Sequence, residues 1–452
     1  MRRKQLLLLS LILLCLSTYN VGPLWAATIN AASCSRNDVG TAVASASNGD
    51  TVVVPAGICT WATQLNVTVG ITLKGAGIDQ TTIVDGVPKD GSSNSSVISF
   101  IVNAPNTFRI TGFTFQENVI DPNVYNRGMV VAYGTAKAFR IDHNKFVTTS
   151  DQNSRNSRIR LDGWLYGVID HNTFRGNFET GVTIGHSSWG GSSYGDGSWA
   201  EQLYLGTEKA VYVEDNIFTE LANPYAAGAI DGLDGMRFVF RYNTLYDQYV
   251  VVHGTDSGQR RRGTRSFEIY NNQFNYNSTQ TGGNYWTATL IRSGSGVIYN
   301  NTYTNTGYVG NGTAGFNNII KLWIDRDDNA FPPWGKCDGT SIYDQLTPGA
   351  SGYRCVDQPG AGTSSNLAGL GTPLAQWVGN ILFPIYQWGN HFGNNNSPTT
   401  GTQGTFAALH LQANRDYFDN TPKPGYTAYT YPHPLVSGST TPPSPPVNLR
   451  VQ

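Results

Sequence analysis

Asp231, His253 and Arg292 are a carboxylate, an imidazole and a guanidinium at matching places in three neighbouring segments, AGAIDG (227–232), YVVVHG (249–254) and ATLIRSG (288–294). An imidazole held by a carboxylate moves protons near neutral pH, and a guanidinium beside it can hold an anion by paired hydrogen bonds. Asp162 in SRIRLDG (157–163) and Lys321 in NIIKLW (318–323) stand at equivalent places further out. These groups act together only if the fold lays segments tens of residues apart side by side.

The elements that would do so are marked by a repeat. An alternating apolar stretch, an asparagine, one variable residue and usually an aromatic recur six times: FRIDHNKF (139–146), GVIDHNTF (167–174), VYVEDNIF (211–218), FVFRYNTL (238–245), FEIYNNQF (267–274) and GVIYNNTY (296–303). Asn144, Asn172, Asn216, Asn243, Asn272 and Asn301 are separated by 28, 44, 27, 29 and 29 residues. A period in this range marks one unit stacked repeatedly, each burying its apolar edge on its neighbours. The unit has no helical pattern, and its length suits three short strands and three turns, one coil of a parallel β-helix. The asparagine is expected at a tight turn, where it tolerates left-handed dihedrals. The residue two further on (Phe146, Phe174, Phe218, Leu245, Phe274, Tyr303) is expected to point inward and stack on its neighbours.

Counting back from each asparagine gives one strand per coil, adding GMVVAYG (128–134) and TGVTIGH (180–186) to the segments above. Aligned at their ends, these strands turn Ala132, Leu161, Ile184, Ile230, Val252, Ile291 and Ile320 inward. The outward column is then Tyr133, Asp162, Gly185, Asp231, His253, Arg292 and Lys321, with Arg158 and Arg160 on the same face. Polar residues are ordinary on a solvated sheet face. Here, three chemically matched groups fall on successive coils about 4.8 Å apart, within reach of one sugar ring.

Two insertions leave the end of this strand. HSSWGGSSYGDGSWAEQLYLG (186–206) carries Trp189, Tyr194, Trp199 and Tyr204, whose faces suit stacking on a sugar. GTDSGQRRRGTRS (254–266) carries Arg260, Arg261, Arg262 and Arg265, which suit carboxylates or sulfates. With Tyr133 and Arg160 they form the expected substrate-binding set. The plainer alternatives are an aromatic loop packed on the flank and a solvated or processed basic loop. His143 and His171 sit in the repeat itself and are expected to be structural, while His391, His410 and His433 have no acidic partner in view.

Arg2, Arg3 and Lys4 precede an apolar run, 6–16, with Ala26 and Ala27 following, so residues 1–26 are expected to be a secretory signal and the protein extracellular or periplasmic. Beyond it stand 27 basic and 31 acidic residues, a balance that disfavours nucleic acid as a partner. No other stretch is apolar and long enough for a membrane span, and a monomer is expected. Four cysteines remain in two local pairs, which read as disulfides Cys34–Cys59 and Cys337–Cys355. A metal is disfavoured there because no histidine lies near either pair at ligand spacing. The expected organisation is a β-helix over 27–330, opened by a capping helix within 35–48, an irregular aromatic cap with a disulfide loop over 331–436, and a Pro/Ser-rich tail over 437–452.

IDHNKF, IDHNTF, the asparagine ladder and the opening GDTVVVPAG (49–57) resemble the right-handed parallel β-helix proteins of the pectate lyase superfamily, over roughly residues 30–330. The resemblance implies an all-β fold and a polysaccharide substrate, on a scaffold that also carries hydrolases, esterases, tailspikes and adhesins. For β-elimination on a uronate polymer it implies an Arg or Lys base, here Arg292 or Lys321, and acidic residues holding calcium, here Asp162 and Asp231. Hydrolysis would instead need two flanking carboxylates, Asp231 with Asp234 or Asp162 with Asp231. The order Asp, His-Gly, Arg is similar in kind to polygalacturonase-type hydrolases, but no Asp-Asp pair precedes the histidine. The expectation is an exported lyase, with a hydrolase second and a non-catalytic carbohydrate-binding or adhesin protein third.

Overall fold

A computed structural model describes residues 26–437 except 93, 119–120, 122, 125–127, 149–153, 192–194, 221–227, 256–261, 277–286, 306–318, 333, 339, 342–343, 345–354, 361–381 and 394–397. The signal segment, Tyr194, Arg260, Arg261 and nearly all of the tail therefore lie outside the described residues.

Alternation of apolar residues in each short segment gives strands whose inner faces line one long core. The strands form three sheets, all of their pairings parallel. Among the described residues, sheet 1 has 12 strands, from Thr28–Asn30 to Tyr417–Phe418; sheet 2 has 10, from Gly57–Trp61 to His391–Phe392; sheet 3 has 10, from Leu65–Val67 to Thr400–Gln403. Each coil gives one strand to each sheet in turn, as Phe139–Asp142, Lys145–Thr148 and Ser154–Gly163 do. This is a right-handed parallel β-helix, its coils as the spacing predicts and its hand as the resemblance implies. At its N-terminal end helix α1 (Arg36–Ala44), capped by the Ser35 hydroxyl accepting from the Asp38 N–H, buries Val39, Ala42 and Val43. Cys34–Cys59 ties it to the first coil, and Cys337–Cys355 is the second disulfide.

The repeated residues do the packing. Phe115, Phe146, Phe174 and Phe218 stack with ring centroids 5.2, 5.0 and 4.5 Å apart, and Phe274 and Tyr303 continue the row at 4.8 Å. Each ladder asparagine is buried and satisfies the turn backbone. Asn216 Nδ2 donates to the carbonyls of Ile169 and Glu214 (both 2.9 Å) and to Asn243 Oδ1 (3.1 Å). Asn243 Oδ1 in turn accepts the Asn216 N–H at 3.0 Å. The left-handed conformation falls not on the asparagine but on the residue before it: His143, His171, Asp215, Tyr242, Asn271 and Asn300 have φ of 52–57°. The asparagine is selected for its amide, which bonds both along and across coils.

A seventh rung, Asn390, accepts from Asn301 N at 3.0 Å. Strands Ile385–Trp388, His391–Phe392 and Thr400–Gln403 add a further coil, so the region beyond 330 is partly helix and not wholly irregular. The phrase IYQWGNHF (385–392) carried that signal.

After this coil the chain turns back. Residues 421–437 run over the outer face of sheet 1 and build a second apolar layer with Tyr212, Val239, Tyr270, Val297 and Tyr299 beneath Tyr426, Tyr429 and Leu435. The polar groups under this strap are matched to its backbone. Arg241 is fully buried, binds Glu214 at 2.6 Å and donates to the carbonyls of Tyr429 (2.9 Å) and Thr430 (2.8 Å). Arg140 donates to the carbonyls of Leu435 and Val436. Glu268 accepts from the Tyr426 hydroxyl at 2.5 Å and the Gly206 N–H at 2.7 Å, and burial pushes its carboxyl up to about 7. An acid whose folded pKa lies above its unfolded value of 4.5 binds more protons in the folded state. Its favourable contribution is therefore present at low pH and lost as pH rises from about 4.5 to about 7. Glu268→Gln is expected to flatten the fall in melting temperature across that window, measured side by side with the parent chain.

Candidate functional site

The seven strands expected to form one column are neighbours in sheet 3, and their predicted outward residues, Arg158 excepted, do face outward. The register differs from the end-to-end alignment. Asp162 pairs with Gly185, but Asp231 pairs with Thr183, and Ile230 with Val250. Further along, Leu290 pairs with Lys321 and Ile291 with Leu322, so Arg292 stands level with Trp323. Tyr133 pairs with Asp162 as expected. The single column is thus two rows, two residues apart. Arg160, Thr183, Asp231, Leu290 and Lys321 belong to one; Tyr133, Asp162, Gly185, His253 and Arg292 belong to the other.

Asp231, His253 and Arg292 nonetheless meet, because the diagonal between rows is within side-chain reach. His253 Nδ1 lies 3.0 and 3.2 Å from the two carboxylate oxygens of Asp231, which also accepts the Gly232 N–H at 2.8 Å. Nη2 of Arg292 lies 2.8 Å from His253 Nδ1 and 3.1 Å from Nε2. A ring nitrogen that donates to a carboxylate cannot also accept from a guanidinium. The bond to Asp231 therefore places the imidazole proton on Nδ1 and makes Nε2 the accepting nitrogen of the ring. The His253 and Asp231 side chains are 19% and 12% exposed, sheltered yet open on one side. The guanidinium of Arg292 lies over Trp323, 5.5 Å from its ring.

A second group lies two strands away. Arg160 donates to Asp162 Oδ2 at 3.1 Å and Ser187 to Oδ1 at 3.1 Å. A Cβ placed on Gly185 would lie 3.1 Å from Asp162 Oδ1 and 3.7 Å from Asp234 Oδ2, so these carboxylates approach each other across a glycine. Lys321 lies diagonally across the rows from Arg292, with its ammonium pKa lowered by burial. Arg158 is buried and pairs with Glu117 on sheet 2 at 2.8 Å, not with the outer face.

Among the described residues, three that the insertions are expected to present are instead held inside. Trp189 is fully buried against Trp164 and Arg237. Trp199 is fully buried, donates from Nε1 to the Gly263 carbonyl at 2.6 Å and is flanked by Arg262 and Arg265. Arg262 is fully buried and pairs with Asp357 at 2.5 Å and Asp196 at 3.1 Å. None of the three can touch a polymer, because desolvation and close partners hold each inside. Trp199 and Arg262 pack on one another, and Trp189 lies against Arg237, which donates to Ser198 next to Trp199.

Calcium takes roughly six to eight oxygen ligands. Asp162 is engaged by Arg160 and Ser187, and Asp231 by His253 and the Gly232 N–H. The two stand in different rows, and among the described residues neither joins a convergent group of three His, Cys, Asp or Glu ligands. That donor set does not fit calcium.

No protein-family model matches the chain, and no curated protein matches it. Among solved structures it is similar to an alginate lyase from Paenibacillus sp. str. FPU-7, at 16% identity and a TM-score of 0.38, covering 63% of this chain and 98% of that one. It is also similar to the catalytic domain of a GH87 alpha-1,3-glucanase in complex with tetrasaccharides, at 13% identity and a TM-score of 0.37, covering 88% of this chain and 68% of that one. Both likenesses are too distant to bear on the reaction.

Proposed function

We propose that the chain is an exported carbohydrate-active enzyme that cleaves a uronate-containing polysaccharide by β-elimination on the outer face of sheet 3. The observation that carries this reading is the hydrogen-bonded run Asp231–His253–Arg292. Arg292 pairs with the uronate carboxylate and offsets the charge that builds on it as the C5 proton leaves. With Arg292 turned from the ring to the uronate, His253 Nε2 accepts that proton in place of the Arg292 N–H, a role matched to an imidazole whose other nitrogen is held by an acid. The C5 electrons form the C4–C5 double bond, the C4–O bond breaks, and the imidazolium returns its proton to the leaving oxygen. Asp231 is a positioning residue that fixes the tautomer and ring. Lys321 and Arg160, on the same outer face, meet carboxylates of neighbouring sugars, and Tyr133 stacks beside them. Export is supported by the two disulfides. Among the described residues no helix is long and apolar enough to cross a membrane.

Hydrolysis is the second reading, favoured by the approach of Asp162 and Asp234 across Gly185. A panel of acidic and neutral polysaccharides, incubated with and without EDTA, separates the two. Elimination yields an ultraviolet-absorbing unsaturated uronyl end, unaffected by EDTA. Reducing ends without that absorbance mean hydrolysis, and neither product across the panel would leave only binding and sink the proposal.

A further inference from the structure

Cys337 and Cys355 lie in the C-terminal region, and the histidine absent from their neighbourhood in sequence is supplied by the fold. His410, the last residue of helix α2 (Ala407–His410), brings Nδ1 to 3.5 Å from Cys355 Sγ and 3.9 Å from Cys337 Sγ. Asp327, on the turn after the sheet 3 strand Ile320–Trp323, brings Oδ1 to 2.9 Å from the same nitrogen. The four ligand atoms all lie within 4.8 Å of one another, and all four residues are 0–1% exposed.

We propose that Cys337, Cys355, Asp327 and His410 form a redox-gated zinc site. Oxidised, it is a disulfide; reduced, it is a tetrahedral metal centre of two thiolates, one imidazole and one carboxylate. Those four groups are a zinc donor set. With Zn–S near 2.3 Å and Zn–N near 2.0 Å, tetrahedral angles put N and S roughly 3.5 Å apart. The two observed N···S separations, 3.5 and 3.9 Å, lie close to that value. For a metal to enter, the two sulfurs must part and the 2.9 Å contact between Asp327 Oδ1 and His410 Nδ1 must open slightly. The surrounding bonds already hold the ligands. Asp327 Oδ2 accepts the Phe406 N–H at 3.0 Å, the Cys355 N–H donates to Gln358 Oε1 at 3.0 Å, and the Cys337 N–H donates to the Arg326 carbonyl at 2.7 Å. Such outer contacts orient metal ligands.

The chemistry balances with a dithiol as reductant. The disulfide takes two electrons and two protons and becomes two thiols, while the dithiol becomes a disulfide. Zinc binding then releases both thiol protons, and the imidazole proton moves to Nε2 so that the Nδ1 lone pair faces the metal. The inference is independent of the outer-face site, since none of its residues belongs to that cluster.

The test is made on the full chain produced in a reducing cytosol and kept reduced, with cobalt(II) as a spectroscopic probe. One equivalent of cobalt is expected to give an intense sulfur-to-metal charge-transfer band and tetrahedral visible bands, lost on adding zinc. Cys337→Ser should weaken the sulfur band by about half or more, and His410→Asn should weaken cobalt binding at least tenfold. Because either variant could disturb packing, the oxidised parent chain serves as a folded control and should bind no cobalt. A reduced, folded parent chain without the charge-transfer band, or one whose band is unchanged in His410→Asn, overturns the proposal.

Discussion

His253→Ala is expected to lower kcat on an acidic polysaccharide by about 10²–10⁴-fold, the range for losing a positioned general acid-base group, with the circular dichroism spectrum unchanged. The side chain is partly exposed and its contacts are polar, so its loss opens no core cavity. Asp231→Ala should act in the same direction through the ring it holds, with a smaller fall in kcat. Arg292→Ala should raise KM as well as lower kcat, because the guanidinium serves both ground-state binding and the developing charge. Full activity in both Asp231→Ala and Arg292→Ala would show that the chemistry sits elsewhere. Activity surviving there but lost in Asp162→Ala would move it to the carboxylate pair across Gly185.

The second large effect is on stability. Arg241→Met is expected to cost about 3–5 kcal/mol, the range for stranding one partner of a buried ion pair. Glu214 would keep the His433 N–H at 2.8 Å but lose the guanidinium that balances its charge within a fully buried site, and burial already pushes its carboxyl up. The Tyr429 and Thr430 carbonyls would lose their donor as well. Urea midpoints measure the loss. The double variant Arg241→Met with Glu214→Gln should recover part of it, since removing both charges leaves none stranded.

The winding was legible because it depends on local rules repeated many times. Asn144 to Asn301 mark the turns, and their spacing alone implies stacked coils. The faces of the sheet 3 strands were legible for the same reason, while the register between them was not. Strand ends are set by whatever turn follows, and here strands range from Val250–Val252 to Ser154–Gly163. Aligning ends therefore slipped Asp231 by two residues against its neighbour. A slip of one would have turned every side chain over; a slip of two kept the face and moved only the row. That is why Asp231, His253 and Arg292 still converge.

The burial of Trp189, Trp199 and Arg262 had no local signal. Gly- and Ser-rich segments with aromatic and basic residues look solvated until a partner is known, and Arg262 finds its own 95 residues away, at Asp357. His410 was invisible for a similar reason, being 55 residues from the nearer cysteine. Pairings at that range are made by the third dimension and leave no periodicity behind.

A stack of coils joined only to their neighbours would be expected to melt from its ends, losing one rung at a time. The strap forecloses that route at the C-terminal end. Its residues leave the last coil and are clasped by Arg241 and then by Arg140, many coils earlier. Peeling off the final coil therefore requires first lifting a segment anchored near the middle of the helix. Amide hydrogens from the Arg140 coil to the last should exchange as one cooperative block, whereas those nearer α1 remain free to fray in sequence.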